Sequence, residues 1–167
     1  MHQDCVEVSA SKATKVGHVN LDVLENTLSF YVRVLDVMVS QDLDLRLENL
    51  EVARGKGKIT ALFLIDSHPG IRPSVLAELT MKDRSAMGRI LAGFDENGLI
   101  IRRTSVDDSR AQELFITPKG AELAAKVRTI VVSQSETFFD RIVPKNEQKA
   151  LIAILKRAYH RLREIKK

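Results

Sequence analysis

The chain has 167 residues, of which 44% are hydrophobic and 29% are charged, an ordinary composition for a folded globular protein. This length is enough for one sizeable core or for two small cores that depend on each other. No apolar run approaches the roughly 18 residues that a membrane-spanning helix needs, and the polar N-terminus has no apolar segment typical of a secretory signal. Cys5 is the only cysteine, which excludes an intrachain disulfide and favours the cytoplasm.

The net charge of +4 is unevenly distributed along the chain. Residues 1–54 contain five Lys or Arg and nine Asp or Glu, whereas residues 118–167 contain twelve and five. The acidic first part and the basic last part would attract each other if their helices pack together, within one chain or between two. Because an exposed ion pair contributes only about 0–1 kcal/mol, this asymmetry gives weak support to such packing.

The first third of the sequence predicts a flexible arm followed by a long helix. Residues 1–16 mix polar and small side chains without periodicity. Residues 17–50 carry apolar side chains near heptad spacing, and the glycines Gly55 and Gly57 weaken any continuation of the helix. The apolar stripe consists of Leu21, Leu24, Leu28, Tyr31, Leu35, Met38 and Leu45. A stripe this broad needs more than one neighbour to cover it, so residues 17–54 are predicted to form a dimerisation helix.

Three shorter helices are predicted over residues 58–68, 73–79 and 83–96. Pro73 suits the first position of the second helix because its missing N–H is not needed there. Asp83 is a suitable N-cap for the third helix. The side chains predicted to face inward are Ile59, Leu62, Phe63 and Ile65 in the first helix, Val75, Leu76 and Leu79 in the second, and Met87, Ile90, Leu91 and Phe94 in the third.

A β-hairpin and two more helices complete the chain. Residues 99–104 and 112–117 are rich in Ile, Leu, Phe and Thr and flank a polar stretch, which is typical of a hairpin. Thr117 is then a cap, with Pro118 at the first position of the next helix, and Pro144 opens the last one. This order of elements delivers one helix to a DNA major groove and a hairpin arginine to the adjacent minor groove.

Four segments in this order carry a resemblance to a known family: residues 83–91 (DRSAMGRIL), 97–103 (NGLIIRR), 107–111 (DDSRA) and 116–120 (ITPKG). They resemble the recognition helix, the first wing strand, the wing tip and the start of the fifth helix of the MarR, or multiple antibiotic resistance regulator, family. The resemblance covers about residues 18–165. Arg72 stands where the family often has a Ser or Thr cap, and Gly88 interrupts the recognition helix at a cost of about 1 kcal/mol relative to alanine. Gly88 either permits close approach of the backbone to DNA or is a tolerated replacement.

The resemblance implies a mostly α fold with a small β-hairpin wing. A winged helix-turn-helix DNA-binding domain over residues 55–117 would lie between N-terminal and C-terminal dimerisation helices, the latter over residues 118–167. It also implies a cytoplasmic, bacterial, homodimeric transcriptional regulator, more commonly a repressor than an activator. Because one wing and one helix make too few contacts for tight binding, two copies would read a pseudo-palindromic operator.

The candidate DNA contacts lie on the predicted recognition helix, beside it, and at the tip of the wing. Only the first turns of a helix of this length can enter a groove. Arginine can bind guanine, serine a base or a phosphate, and alanine a thymine methyl group. The narrow minor groove attracts a wing-tip arginine. The candidates are Ser74, Lys82, Arg84, Ser85, Ala86, Arg89 and Arg110, and the residues expected to support the wing are Arg103, Asp107 and Asp108.

Relatives in this family often bind small phenolic or aromatic acids, and the residues that would line such a cleft are Phe30, Tyr31, Phe63 and His68. The alternative is that these aromatic side chains belong to the core. A redox-responsive regulator using Cys5 is a further alternative, although no cationic cluster in the sequence lies beside this thiol. His2, His18, His68 and His160 lack the spacing of a zinc site, so no metal and no cofactor is expected.

The sequence contains no glycine-rich phosphate loop, no nucleophile elbow and no paired His/Cys or His/carboxylate motif, which argues against an enzyme. The more serious alternative is a winged-helix module that binds a protein partner and not DNA. Arg84, Arg89 and Arg110 favour DNA because they occupy the positions that would enter its grooves.

Overall fold

The structure, a computed structural model, describes residues 19–55, 57–105, 108 and 110–165. The elements are a 3-10 helix (Asp22–Asn26), α1 (Leu28–Arg46), α2 (Lys58–Ser67), α3 (Pro73–Leu79), α4 (Arg84–Glu96), β1 (Ile100–Thr104), β2 (Gln112–Ile116), α5 (Pro118–Phe139) and α6 (Lys145–Ile165). Six α-helices and a two-stranded hairpin confirm the predicted fold class. The chain divides into two compact units, the first ending at Met38 and the second beginning at Val39.

The long N-terminal helix predicted from the heptads is wrong at its start. The Asn20 side chain accepts a hydrogen bond from the backbone N–H of Asp22 at 2.7 Å, and Asp22 adopts a left-handed φ of 53°. Thr27 has extended backbone, and its hydroxyl donates to the carbonyl of Leu24 at 3.1 Å. These local bonds of polar side chains compete with helical ones, so the α-helix begins only at Leu28.

The same helix also ends earlier than the glycines suggest. After α1, Leu47 and Val52 turn into the core and are almost completely buried, although neither was predicted to be a core residue. The Asp44 carboxylate accepts from the backbone N–H of Arg54 at 2.9 Å, with Arg54 in the left-handed region. The turns between α1 and α2 are therefore an ordered part of the second unit.

Helices α2, α3, α4 and α5 and the hairpin share one hydrophobic core. Its fully buried large side chains include Leu62, Ile65, Leu76, Met87, Leu91, Phe94, Leu99, Leu114 and Val127. The predicted inward faces of α2 and α4 are confirmed, with Ile59, Phe63 and Ile90 partly buried against this core. The prediction for Val75 is wrong, since this side chain is 41% exposed. Leu76 is buried as predicted, and Ala77, which was not predicted to face inward, is buried beside it.

The hairpin is tied to the helices on two sides. β1 and β2 pair antiparallel from Ile100 opposite Ile116 to Thr104 opposite Gln112. The loop before α3 adds a short third segment, because Ile71 bridges to Leu114 in β2. This pairing fixes the start of α3 relative to the wing.

Thr117 and Gly120 secure the start of α5 against the hairpin. The Thr117 hydroxyl accepts from the N–H of Gly120 at 3.0 Å and donates to the carbonyl of Gly98 at 2.8 Å, which confirms the predicted cap. A Cβ at position 120 would overlap the carbonyl oxygen of Leu99. Glycine is therefore required here by a close approach of two backbones.

The turn between α5 and α6 is held by one amide side chain. Gln148 donates to the Asp140 carboxylate and to the carbonyl of Val143, each at 2.9 Å. The hydrogen bond from Gln148, assisted by Lys145, holds the pKa of Asp140 below its ordinary value. The polar contacts thus fix the direction in which α6 leaves α5.

Candidate nucleic-acid interface

The N-terminus of α4 is built by a sharp turn and a capping carboxylate. Met81 adopts a left-handed φ of 55° between α3 and α4. Asp83 then has extended backbone, and its carboxylate accepts from the N–H of Ala86 at 2.6 Å, as predicted for an N-cap. The turn and the cap together aim the first turn of α4 away from the core.

The two faces of α4 are clearly divided. Met87 and Leu91 are buried, whereas Arg84, Ser85 and Arg89 are exposed. The guanidinium of Arg89 donates to the hydroxyl of Ser85 at 3.0 Å, which orients it along the helix towards the N-terminus. Because both side chains are exposed, Arg84 and Arg89 can contact a molecule outside the chain, and the half-buried Ala86 lies beside them.

Gly88 lies on the same exposed face of α4, and a Cβ added there would meet nothing within 4 Å. Packing within the described part of the chain therefore does not require a glycine at this position. Gly93, further along the helix, has equally open space around it.

The two predicted phosphate contacts lie at opposite ends of α3. Ser74 is exposed in the first turn of α3. Lys82 is half-buried, and its aliphatic stem lies so close to Gly57 that a Cβ at position 57 would overlap it. Lys82 is thus partly held by packing, whereas the Ser74 side chain is free to turn.

The tip of the wing presents Arg110 to solvent. The Asp108 carboxylate accepts from the backbone N–H of Arg110 at 3.1 Å, and the Asp108 carbonyl accepts from the N–H of Ala111 at 2.8 Å. Asp108, one of the residues expected to support the wing, thus shapes the backbone of the tip. Asp107, the other acidic residue of that set, lies outside the described residues.

Arginines on β1 stiffen the wing. The guanidinium of Arg103 lies 4.9 Å from the centre of the Phe115 ring, a cation–π contact that fits its predicted supporting role. Arg102 donates to the carboxylate of Asp95 at 2.5 Å and to the side-chain oxygen of Gln112 at 3.3 Å. Sequence reasoning missed this link between α4 and both strands. An acidic residue in the last turn of the recognition helix, just before a strand rich in arginine, was the available signal.

An open groove of about 440 Å³ lies between the wing and the start of α3. Its lining residues are Arg72, Pro73, Ser74, Arg110, Ala111 and Gln112. Two predicted DNA contacts, Ser74 and Arg110, are therefore brought together although they are far apart in sequence.

The residues predicted to line a ligand cleft are divided between the two compact units. Phe30 and Tyr31 in the first unit form an edge-to-face pair with ring centres 5.3 Å apart. In the second unit, the guanidinium of Arg128 lies 4.9 Å from the centre of the Phe63 ring, and His68 is exposed. The cleft itself stays a prediction.

Some predictions concern residues or absences that the structure cannot test. Cys5, His2 and His18 lie outside the described residues. Among the residues that are described, no cluster of His, Cys, Asp or Glu is arranged to hold a metal ion. Within those same ranges, no helix has the length and apolar character needed to cross a membrane.

Helices α3 and α4 are joined by a tight turn and followed by an antiparallel hairpin, which bonds to α4 and to the loop before α3. This arrangement defines a winged helix-turn-helix protein. Residues 57–111 match the model of the MarR family. The chain is therefore similar to the MarR family over about a third of its length, the part that holds the helix pair and the wing.

One relative is a protein of Thauera aromatica that is named as a transcriptional regulatory protein for the hcr operon. It is 36% identical over 98 residues, which span 59% of this chain and 58% of that protein. The chain thus matches rather more than half the length of this curated relative.

Solved structures show the same fold at low sequence identity. The transcriptional repressor CouR, bound to a 23-mer DNA duplex, superposes with a TM-score of 0.77 at 20% identity, covering 84% of this chain and 98% of CouR. A MarR-family protein of Mycobacterium tuberculosis in complex with p-aminosalicylic acid has a TM-score of 0.63 at 17% identity, covering 79% of this chain and 98% of that one.

Proposed function

We propose that this protein is a sequence-specific, DNA-binding transcriptional regulator of the cytoplasm that acts as a homodimer and represses its target genes. The observation that carries the proposal is the pair of exposed cationic elements in the second unit. Arg84 and Arg89 project from the N-terminal part of α4, and Arg110 projects from the wing. The Arg102 bonds to Asp95 and Gln112 join α4 to the wing, so that both elements can enter neighbouring grooves as one body.

The names of two similar proteins support this function. The Thauera relative is named as a transcriptional regulatory protein, and CouR is a repressor in complex with DNA. A pseudo-palindromic operator follows from a two-fold axis, since each half-site would receive one helix and one wing.

The proposal of a homodimer rests on exposed apolar surface in each compact unit. In the first unit, the exposed side chains of α1 include Leu28, Tyr31, Val32, Leu35 and Met38. In the second unit, those of α6 include Ile152, Leu155, Tyr159 and Leu162. Contiguous apolar surface of this kind usually marks a protein–protein interface, and we assign it to a second copy of the chain.

A small phenolic or aromatic acid is the proposed effector. The complex of the Mycobacterium relative with p-aminosalicylic acid supports this class of ligand. We retain Phe30, Tyr31, Phe63 and His68 as its candidate contacts. Addition of such an acid is expected to weaken DNA binding by the protein.

We propose no catalytic activity for this chain. The alternative is a winged-helix module that binds another protein through the same basic surface. A protein partner would present carboxylates locally, whereas DNA presents a continuous array of phosphates. The salt dependence of binding separates these two partners.

The test is a binding titration with the DNA that lies upstream of the protein's own gene, repeated at several salt concentrations. A protein that neutralises six phosphates is expected to lose affinity with a slope of about −5 on logarithmic axes, because counterions are released. If the affinity does not change with salt, or if the protein does not bind this DNA, the module that binds a protein partner becomes the better interpretation. Selection of bound sequences from random DNA would then define the operator.

We further predict that Arg110→Ala weakens DNA binding while the melting temperature stays unchanged. The side chain is exposed, and only its backbone N–H bonds to Asp108, so its removal should not disturb the wing. Thermal unfolding and DNA titration of the same preparation give the two measurements. Unchanged affinity in a folded variant would refute the wing-tip assignment.

A further inference from the structure

The groove between α3 and the wing carries two cations, and none of its lining residues that the structure describes is an anion. Arg72 contributes one guanidinium from the position before α3, and Arg110 contributes the other from the wing. Like charges that line one cleft focus the electrostatic potential and concentrate anions there. The groove therefore favours a negatively charged occupant.

The polar groups of this groove offer hydrogen-bond donors. Gln112 uses its side-chain oxygen to accept from Arg102 at 3.3 Å, which leaves its amide N–H groups for another partner. The Ser74 hydroxyl is exposed and can donate in any direction. A phosphodiester group, which only accepts hydrogen bonds, matches this set of donors in both charge and hydrogen bonding.

The side chain of Arg72 makes no capping hydrogen bond and no ion pair with the residues that the structure describes. Arg72 occupies the N-cap position of α3, with φ −82° and ψ 145°, and its side chain is exposed. A serine or threonine would cap the helix better, so the arginine costs local stability that no side-chain contact among the described residues offsets.

We propose that Arg72 contacts the sugar–phosphate backbone that borders the minor groove entered by Arg110, so that the two arginines clamp one backbone segment between α3 and the wing. This inference rests on the proposed DNA binding and adds Arg72 as a phosphate contact. Gln112 and Ser74 complete the clamp, and the Asp95–Arg102–Gln112 bonds set its position relative to α4. The clamp holds the duplex in register and carries no base preference of its own.

The test compares Arg72→Ala and Arg72→Ser with the wild-type dimer on a mixed-sequence duplex, which needs no knowledge of the operator. Both variants are expected to bind about ten-fold more weakly at low salt and to reduce the salt slope by about one. Arg141→Ala is the matched control, since Arg141 is also exposed and its removal changes the net charge equally. The control is expected to leave the slope unchanged.

Arg72→Ser separates a DNA contact from a structural role. Serine restores a cap, so this variant should melt at a higher temperature than the wild type although it binds DNA more weakly. Wild-type affinity of Arg72→Ser would overturn the clamp. So would an Arg72→Ala variant whose salt slope equals that of Arg141→Ala.

A double-mutant cycle with Arg110→Ala tests whether the two arginines hold the same segment. If both arginines hold the same segment, the double variant should lose DNA affinity by a factor that differs from the product of the two single-variant factors. The reason is that two groups that bind one partner are energetically coupled. Independent losses would assign the arginines to separate contacts and overturn the clamp. A wild-type protein that binds no duplex at all would instead refute the proposed function, and all variants would then behave alike.

Discussion

On the exposed face of α4, the neighbouring residues Gly88 and Arg89 differ in the contacts that they make within the chain. Arg89 is held by the Ser85 hydroxyl and is thus partly ordered before any ligand arrives. An ordered side chain loses less conformational entropy when it binds, which favours its use in reading a base. At Gly88, the residue before it, packing in the described part of the chain does not require a glycine, since an added methyl group would meet no atom within 4 Å.

Arg89→Ala should therefore lower affinity for the selected operator more than affinity for random DNA. The expected difference is about 1–3 kcal/mol if the guanidinium binds a guanine. Titration of both DNAs at one salt concentration measures it. Equal losses on the two DNAs would identify Arg89 as a phosphate contact.

Gly88→Ala should stabilise the fold and weaken DNA binding. A glycine inside a helix costs about 0.5–1 kcal/mol relative to alanine, and the new methyl group meets no atom of the chain within 4 Å. Gly93→Ala is the matched control, because Gly93 lies in the same helix with the same open space. Urea unfolding should show a similar gain for both variants, whereas only Gly88→Ala should bind DNA less well. Full affinity of Gly88→Ala would mean that this glycine is a tolerated replacement.

At the scale of elements, contacts of the two strands and of the start of α5 position the wing. Ile71 pairs with Leu114, Arg102 bonds to Asp95, and the Thr117 hydroxyl bonds to the carbonyl of Gly98. These contacts connect the hairpin to α3, α4 and α5, so the two DNA-facing elements should move together.

Gly120→Ala tests the tightest of these contacts. The added methyl group would overlap the Leu99 carbonyl oxygen, and the side chain of Ile116 lies close by, so α5 must shift away from the hairpin. We expect a loss of about 1–3 kcal/mol in the free energy of unfolding, the range typical of overpacked sites. Urea denaturation measures this loss, and Gly93→Ala again provides a control of opposite sign. An unchanged midpoint would show that the helix start relaxes without cost.

At the scale of the whole molecule, the proposed activity needs two chains. Ile152, Leu155, Tyr159 and Leu162 recur on one face of α6 and are all exposed. Such a face in a chain that folds as one copy would be an aggregation risk, which a second copy removes.

Leu155→Glu is expected to convert the protein to a monomer, because a buried carboxylate in an apolar interface costs several kcal/mol. Sedimentation measures the change of mass. DNA affinity should fall by at least about a hundred-fold, since the linked second half-site is lost. Arg157→Glu places a carboxylate on the other side of α6 and should remain dimeric. A dimeric Leu155→Glu would remove α6 from the interface.

Much of the fold was determined by local signals. Asp83 and Thr117 mark helix starts by accepting hydrogen bonds from backbone N–H groups within one turn, and Pro73 marks one through its fixed φ and missing N–H; the structure confirms all three. The inward faces of α2 and α4 follow from periodicity alone. The candidate residues of α4 and the wing could be named because they lie outside those faces.

Only the tertiary structure decided how α1 ends and how the wing is fastened. Leu47 and Val52, which lie outside the heptad stripe, are buried because the chain turns after α1 and packs them into the core of the second unit. The bond of Arg102 to Asp95 and the groove shared by Arg72 and Arg110 join residues that no helical or strand period connects. Local sequence sets the backbone preference of each segment. The partner that a side chain meets depends on how distant segments pack, and that information is in no single stretch of the chain.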